Sequence, residues 1–252
     1  MSEPPMTQGC DNRCATPLDF SFVMAFQPVV DVVHRRIYAY EALVRGTDGG
    51  GAASILARVT DDNRYAFDQA CRVKAIETAA GLGLDRRLNI NFLPNAVYHP
   101  EACLRLTLSA AKEHGFPAHL ITFEFTEDEQ IHNRAHLRSI IETYRQHGFH
   151  TALDDFGAGY AGLSLLADFQ PDTIKIDRCL ITLVDQSPAR QAIIAGLVKT
   201  AEMLGLSVVA EGTERIEEVR MLHEMGINLF QGYYFARPQI GQLVGDDQIP
   251  WI

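Results

Sequence analysis

Residues 121–127, ITFEFTE, decide the predicted fold, because apolar and polar side chains alternate along them with a period of two. The aromatic and aliphatic residues would face one side of a β-strand, and polar residues, among them Glu124, would face the other. Residues 88–94, LNINFLP, repeat the pattern with Asn89 and Asn91, and Lys175 lies between two isoleucines. A strand covered by helices on both faces is apolar throughout, so a polar face indicates that this side of the sheet meets a site.

Similar β-like runs recur along the chain and alternate with stretches of helical periodicity. The runs lie at 20–33, 36–44, 87–93, 120–126, 150–156, 172–177, 206–212 and 229–235. The helical stretches include 53–82, 101–114, 129–147, 189–204 and 214–225. This alternation predicts a TIM-like (β/α)8 barrel, whose chemistry is expected at the carboxyl ends of the strands. About two residues separate the first two runs, which permits a hairpin but no crossover helix, so one strand should be antiparallel.

Composition narrows the classes of protein. With 252 residues, we expect one domain at 18–252, preceded by a disordered arm at 1–17 that is rich in proline, glycine and polar residues. The net charge of −10 argues against binding of a nucleic-acid polymer. The apolar runs are too short for membrane insertion. The cysteine count is odd, the cysteines are scattered and there is no signal peptide, so a cytoplasmic location with free thiols is expected.

Five acidic residues stand at the ends of predicted strands, where a parallel barrel would bring them to one mouth: Glu41, Glu124, Asp154, Asp155 and Glu211. Two like charges ~4 Å apart repel by about 4 kcal/mol at an effective dielectric constant of about 20. Only Lys175 and Arg45 lie at comparable positions to oppose them. The pattern therefore predicts bound divalent metal, with two ions expected.

The motifs that carry these residues resemble the ordered signature of the EAL-domain phosphodiesterases over about residues 20–238. They read YEALVRG, INFLP, FEFTE, LDDFGAGYAGL, IKID, VVAEG and FQGYYFARP in chain order. The resemblance implies a barrel with one reversed strand that hydrolyses cyclic di-GMP to linear pGpG with two Mg²⁺ or Mn²⁺ ions. It also implies a homodimer through the loop and helix after Asp155.

The resemblance assigns roles position by position. The first metal would be held by Glu41, Asn91, Glu124 and Asp154, and the second by Asp154, Asp155 and Glu211, with Asp154 bridging. Lys175 corresponds to the residue that holds the attacking water, and Gln231 to one that positions it; with Glu41 and Glu127 they form the expected catalytic set. Glu127 would steady the loop after Asp155. Substrate contacts are expected from Gln27, Leu43, Arg45 and Asn91.

The chain departs from the family pattern at several positions. Ala158, Ala161 and Gly162 replace hydroxyl residues, and Thr213 and Arg215 stand in an otherwise typical AEGVET motif. These changes bear on rate and loop order more than on metal binding.

Two rival functions remain open. One rival is a catalytically weak or silent cyclic di-GMP receptor domain. The other is an unrelated metal-dependent barrel enzyme that acts on a small carbonyl compound.

Overall fold

A closed eight-stranded barrel forms the centre of the computed structural model, which describes residues 18–97, 99–126, 134–159 and 162–252. The strands are β1 (Phe22–Asp31), β2 (Arg36–Gly46), β3 (Arg87–Asn91), β4 (Ile121–Thr126), β5 (His150–Phe156), β6 (Thr173–Ile176), β7 (Ser207–Ala210) and β8 (Leu229–Phe230), with a short outer strand β9 (Gln239–Ile240). Strands β2 to β8 are parallel to their neighbours, and β1 closes the barrel antiparallel to β2 and β8. The predicted TIM-like barrel with one antiparallel strand is confirmed.

Helices surround this barrel in the order expected of strand-helix units. They are α1 (Ala52–Leu56), α2 (Arg64–Gly81), α3 (Pro100–Glu113), α4 (Arg134–Gln146), α5 (Gly162–Asp168), α6 (Arg178–Ile181), α7 (Pro188–Leu204) and α8 (Ile216–Glu224). In the described part of the chain, none of them combines the length and the apolar character that a membrane crossing would need.

The single helix predicted at 53–82 is wrong, because residues 57–63 separate α1 from α2. Local side-chain hydrogen bonds explain the break. The backbone N–H of Thr60 donates to Asn63 Oδ1 at 2.8 Å, and Asn63 Nδ2 donates to the carbonyl of Arg58 at 3.0 Å. Such bonds offer the backbone an alternative to the helix. The resemblance implied a helix after Asp155, and α5 lies there. Helix α6 was not predicted, because four residues are too few to establish a helical period.

The alternating strands divide their side chains between two environments. Phe92 and Phe123 point outward and pack on Tyr144 of α4, with ring centroids 5.5 and 4.8 Å apart. Asn89 and Glu124 point into the barrel, where Asn89 Nδ2 donates to Glu124 Oε1 at 2.8 Å. The main apolar core therefore lies between sheet and helices, whereas the polar side chains of Asn89 and Glu124 lie inside the barrel near its carboxyl-terminal mouth.

The C-terminal residues 246–252 are bonded to the opposite, amino-terminal end of the barrel. Arg86, just before β3, donates two parallel hydrogen bonds of 2.7 and 2.6 Å to the Asp246 carboxylate. The N–H of Ile37 in β2 donates to the same carboxylate at 2.7 Å. Trp251 Nε1 donates to the carbonyl of Asp246 at 2.9 Å. The Arg86 guanidinium holds the pKa of Asp246 below its usual range. One carboxylate thus joins the start of two strands to the chain terminus.

Replacing Asp246 by alanine should lower the free energy of unfolding by about 2 kcal/mol, because charge-assisted bonds to Arg86 and to Ile37 N–H are lost together. Urea denaturation measures the change. Asp247→Ala removes the neighbouring carboxylate and serves as the control, with an expected change below about 0.5 kcal/mol. Equal stability of the two variants would show that the Asp246 contacts do not fasten the barrel.

Candidate active site

The ammonium group of Lys175 lies at the centre of the barrel mouth, surrounded by four carboxylates. Its Nζ atom is 2.7 Å from Glu211, 3.0 Å from Glu124, 3.1 Å from Asp154 and 3.3 Å from Glu41. The lysine and Glu124 are buried, and the other three acids are nearly so. Residues from strands β2, β4, β5 and β6 and from the end of β7 therefore meet at one point, although up to 170 positions separate them in the chain.

Burial and mutual repulsion set the protonation of this cluster. Burial lowers the pKa of Lys175, but the carboxylates, led by Asp154, outweigh burial and hold its pKa well above the usual range. Burial raises the pKa of Glu124 and Glu211 well above the usual range, and neighbouring acids add to the rise while Lys175 opposes it. The lysine therefore stays protonated, and a cation that binds here would displace protons from the acids.

A bulge in β5 brings two consecutive aspartates to the same site. Successive side chains of a regular strand point to opposite faces, which would separate Asp154 from Asp155. The pairing of β5 with β6 shifts register between Leu153 and Phe156, and Asp155 adopts the left-handed φ of 53°. Its N–H donates to Asp154 Oδ1 at 3.0 Å. Burial, together with Asp154, raises the pKa of Asp155 to about 6.

Amide side chains orient the carboxylates around the lysine. Asn91 Nδ2 donates to Glu41 Oε1 at 2.9 Å, and Gln231 Nε2 donates to Glu41 Oε2 at 2.7 Å. Gln231 also contacts Gln27 Oε1 at 3.3 Å, and Gln27 Nε2 donates to the carbonyl of Ala236 at 3.1 Å. Together with Lys175, whose Nζ donates to Glu41 Oε2 at 3.3 Å, Asn91 and Gln231 hold both oxygens of Glu41 in place.

Two residues that hold this arrangement were not among the predicted site residues. Asn89 bonds Glu124, and the alternation of the LNINFLP stretch was the signal that could have identified it. Thr213 is buried and its backbone N–H donates to the carbonyl of Gln231 at 3.3 Å. A Cβ atom on Gly232 would lie 2.1 Å from the Thr213 carbonyl oxygen, so this close approach of two loops requires glycine.

A cleft of about 270 Å³ opens above the cluster toward solvent. Its lining includes Gln27, Glu41, Leu43, Asp154, Asp155, Asp177, Arg178, Glu211, Glu214, Gln231 and Tyr233. Arg45 is not in this lining; its guanidinium donates to the neighbouring Val44 carbonyl at 2.7 Å. Asn91 lines an adjacent apolar cavity that shares Leu43 with the cleft. Glu127 lies outside the described residues.

The donor atoms present suit two divalent cations. Oxygen atoms of Glu41, Glu124 and Asp154 lie within 4.8 Å of one another, as do those of Asp154, Asp155 and Glu211, so Asp154 is common to both groups. Gln231 Oε1 is buried without a hydrogen-bond partner among the described residues. Ionised, the five acids and Lys175 carry a formal charge of −4, which two divalent cations would offset. Donor sets of oxygen alone suit Mg²⁺, Mn²⁺ or Ca²⁺.

In metal-free protein, Asp155→Asn should remove part of the pH dependence of stability. The raised pKa of about 6 means that the folded state binds this proton more tightly than the unfolded state. The stabilisation that the folded state gains from holding this proton is fully present below about pH 4 and is lost as the pH rises through about 6. Urea denaturation with a chelator should therefore show the variant gaining about 1 kcal/mol over the parent between pH 4.5 and 7.5, after allowance for solvent screening. Asparagine tolerates the left-handed φ. A constant difference between variant and parent would contradict the assignment.

The chain is similar to several known proteins along most of its length. An EAL domain family model matches residues 18–238. A standalone versatile EAL protein from Vibrio cholerae O395, solved in a c-di-GMP bound form, is 50% identical, with a TM-score of 0.88 over 91% of this chain and 97% of that one. Klebsiella pneumoniae BlrP1, solved as a manganese/cy-diGMP complex, is 38% identical, with a TM-score of 0.83 over 87% of this chain and 56% of that one.

Two curated proteins of Escherichia coli K12 also match. The blue light- and temperature-regulated antirepressor BluF is 35% identical over 95% of this chain and 59% of its own length. The cyclic di-GMP phosphodiesterase PdeR is 40% identical over 47% of this chain and 18% of its own length. The chain thus spans less than two thirds of these curated relatives. Since the family model covers most of its residues, the chain belongs to the EAL domain family.

Proposed function

We propose that the protein is a metal-dependent phosphodiesterase that hydrolyses cyclic di-GMP to linear pGpG. One observation carries the proposal. Two clusters of three acidic residues each, with Asp154 common to both, lie beside the protonated Lys175 at the carboxyl ends of the barrel strands. Relatives of 50% and 38% identity were solved with cyclic di-GMP, one of them with manganese, and PdeR is named a cyclic di-GMP phosphodiesterase. Site and relatives point to the same chemistry.

Two Mg²⁺ or Mn²⁺ ions would be held by the acidic residues together with Asn91. Glu41, Asn91, Glu124 and Asp154 are the proposed ligands of one ion, and Asp154, Asp155 and Glu211 those of the other. Bound there, the ions would lower the pKa of an attacking water and stabilise the charge that develops on the phosphate. The buried, hydrogen-bonded carboxylates would require little rearrangement to receive them.

Lys175 and Gln231 would orient the nucleophile. The Lys175 ammonium stays protonated, because the surrounding acids raise its pKa, so it would donate hydrogen bonds to the attacking oxygen instead of accepting its proton. The free Oε1 of Gln231 would accept a hydrogen bond from the same water, since its amide nitrogen is already engaged by Glu41. The two side chains would thus fix the direction of attack.

Substrate recognition is assigned to residues around the cleft. Gln27 and Leu43 line the cleft. Arg45 lies on β2, four residues after Glu41. The Arg45 guanidinium at present donates to a neighbouring carbonyl and would turn to meet a phosphate. Glu127 keeps its proposed role in steadying the loop after Asp155.

A homodimer through the loop and helix after Asp155 is also part of the proposal. On α5, the side chain of Leu163 is 65% exposed, which gives this helix an apolar group on its outer face. The loop before α5 follows Phe156, the residue next to Asp155, so a contact between two copies here would bear on a proposed ligand of the second ion.

Incubation of the purified protein with cyclic di-GMP and either Mg²⁺ or Mn²⁺, followed by mass analysis, tests the function directly. The expected product is pGpG, and its formation should cease with excess chelator. Tight binding of cyclic di-GMP without product would establish the receptor alternative, which the antirepressor name of BluF favours. Metal binding without any response to cyclic dinucleotides would favour a different barrel enzyme.

Lys175→Met should lower kcat by about 10² or more, because a positioned hydrogen-bond donor to the nucleophile is removed while side-chain volume is kept. Binding of Mn²⁺, measured by calorimetry without substrate, should persist, since the carboxylate ligands remain and their competing ammonium is gone. Unchanged kcat would remove the orienting role. Loss of Mn²⁺ binding would instead show that the lysine is needed to assemble the site.

Leu163→Glu should shift the protein from dimer to monomer in sedimentation experiments, because it places a charge at the proposed contact. Met203→Glu, on the exposed face of α7, is the matched control and should leave the dimer intact. Dimers of equal strength in both variants would place the contact elsewhere.

A further inference from the structure

A buried ion pair on α2 reaches the end of the strand that carries Asn91. Asp68 and Arg72 are one helical turn apart and almost fully buried, and their charged groups are 2.7 Å apart. Arg72 Nη1 donates to the Tyr144 hydroxyl at 2.8 Å. The other oxygen of Asp68 accepts a hydrogen bond from the backbone N–H of Leu93 at 3.0 Å, two residues after Asn91.

The ion pair is not needed for packing alone. Replacement of a buried ion pair by apolar side chains of similar volume is often neutral or stabilising, because desolvation offsets the attraction between the charges. The Arg72 guanidinium already lies among apolar rings, 5.3 Å from the centroid of Phe92 and 5.1 Å from that of Phe123. What an apolar pair could not supply is an acceptor for the N–H of Leu93.

That N–H lies at a point where the chain could otherwise move. Strand β3 ends at Asn91, and among the described residues its pairing with β4 continues through one bond, from the Phe92 N–H to the Glu124 carbonyl at 2.9 Å. Beside it is a cavity of about 370 Å³, lined by Asn91 and Leu93 from the strand end, Leu43 from β2 and Asp68 from α2. Asn91 itself is exposed, so side-chain packing does not hold it.

We propose that Asp68 is a positioning residue for Asn91, holding the end of β3 away from the cavity so that the Asn91 side chain stays at the first cation site. The inference rests on the proposed metal-binding function of that site. Asp68 does not contact the cation site. It would act on Asn91 through the backbone, by its hydrogen bond to the N–H of Leu93. Without its hydrogen bond, the segment after Asn91 would gain freedom to enter the cavity, and the first cation would lose a well-placed ligand.

Two triple variants isolate this hydrogen bond. Asp68→Leu/Arg72→Met/Tyr144→Phe replaces the ion pair and the Tyr144 hydroxyl by apolar groups and leaves no buried charge unpaired. The 3.4 Å contact of Gln69 Nε2 with Asp68 Oδ2 is lost in both triple variants. Asp68→Asn/Arg72→Met/Tyr144→Phe differs only in keeping an acceptor for the Leu93 N–H. Urea denaturation with a chelator establishes that each variant is folded, and Mn²⁺ affinity is measured by calorimetry without substrate.

The leucine variant should bind Mn²⁺ about 10- to 100-fold more weakly than the parent, whereas the asparagine variant should stay within about threefold, as expected when a group that orients a ligand is lost or kept. Saturating Mn²⁺ should restore most of the turnover of the leucine variant. Equal Mn²⁺ affinities of the two variants would overturn the proposal. Should the leucine variant not fold, Asp68→Glu, which keeps the charge but displaces the acceptor, must weaken Mn²⁺ binding in the same way, and parental affinity would refute the role.

The outcomes separate this inference from the proposed reaction. If the two triple variants differ in Mn²⁺ affinity while the parent makes no pGpG, Asp68 positions a metal site of another function. If the parent makes pGpG and the variants bind Mn²⁺ equally, the reaction stands and the positioning role fails. A parent that binds no Mn²⁺ overturns both.

Discussion

The contact between one ammonium group and four carboxylates at the mouth of the barrel is the constraint on which the rest of the structure depends. Lys175 lies 2.7 to 3.3 Å from Glu41, Glu124, Asp154 and Glu211. Oxygen atoms of Glu41, Glu124 and Asp154 lie within 4.8 Å of one another, and ionised groups this close would repel by several kcal/mol without a cation among them. In the absence of metal, the lysine is that cation. It allows the strands to bring their acids together, although one positive charge does not balance them.

The local irregularities of the barrel serve this cluster. The left-handed φ of Asp155 and the shifted register of β5 bring two consecutive acids to one side. Gly232 allows the loops after β7 and β8 to approach within hydrogen-bonding distance. The left-handed backbone at Asp155 departs from regular strand geometry and carries a conformational cost. These irregularities occur at the carboxyl ends of the strands, whereas the contacts of Asp246 with Arg86 and Ile37 at the other end satisfy their donors and acceptors. The candidate site and the contacts of Asp246 thus lie at opposite ends of the barrel.

Much of this could be predicted from sequence, for a physical reason. Alternation with period two identifies a strand and its polar face, so residues such as Glu124 and Lys175 could be assigned to the barrel interior before any coordinates. The hairpin before Arg36 similarly required a reversed strand. The bulge at Asp155 could not be predicted, because it depends on pairing with a strand about twenty residues away. The break between α1 and α2 was missed because helical periodicity outweighed the local bonds of Asn63.

The same charges would couple folding to the proposed binding of metal ions. The pKa values of Glu124 and Glu211 are raised, so the metal-free cluster retains protons that divalent cations would replace. Ions that bind the folded chain and not the unfolded chain stabilise it in proportion to the logarithm of their concentration over Kd. In the proposed mechanism, the lysine would hold the acids together until the ions bind and would then orient a nucleophile. A lysine suits both tasks because its charge sits on a flexible stem that can shift within the cluster, whereas the planar guanidinium of arginine would be fixed by its geometry.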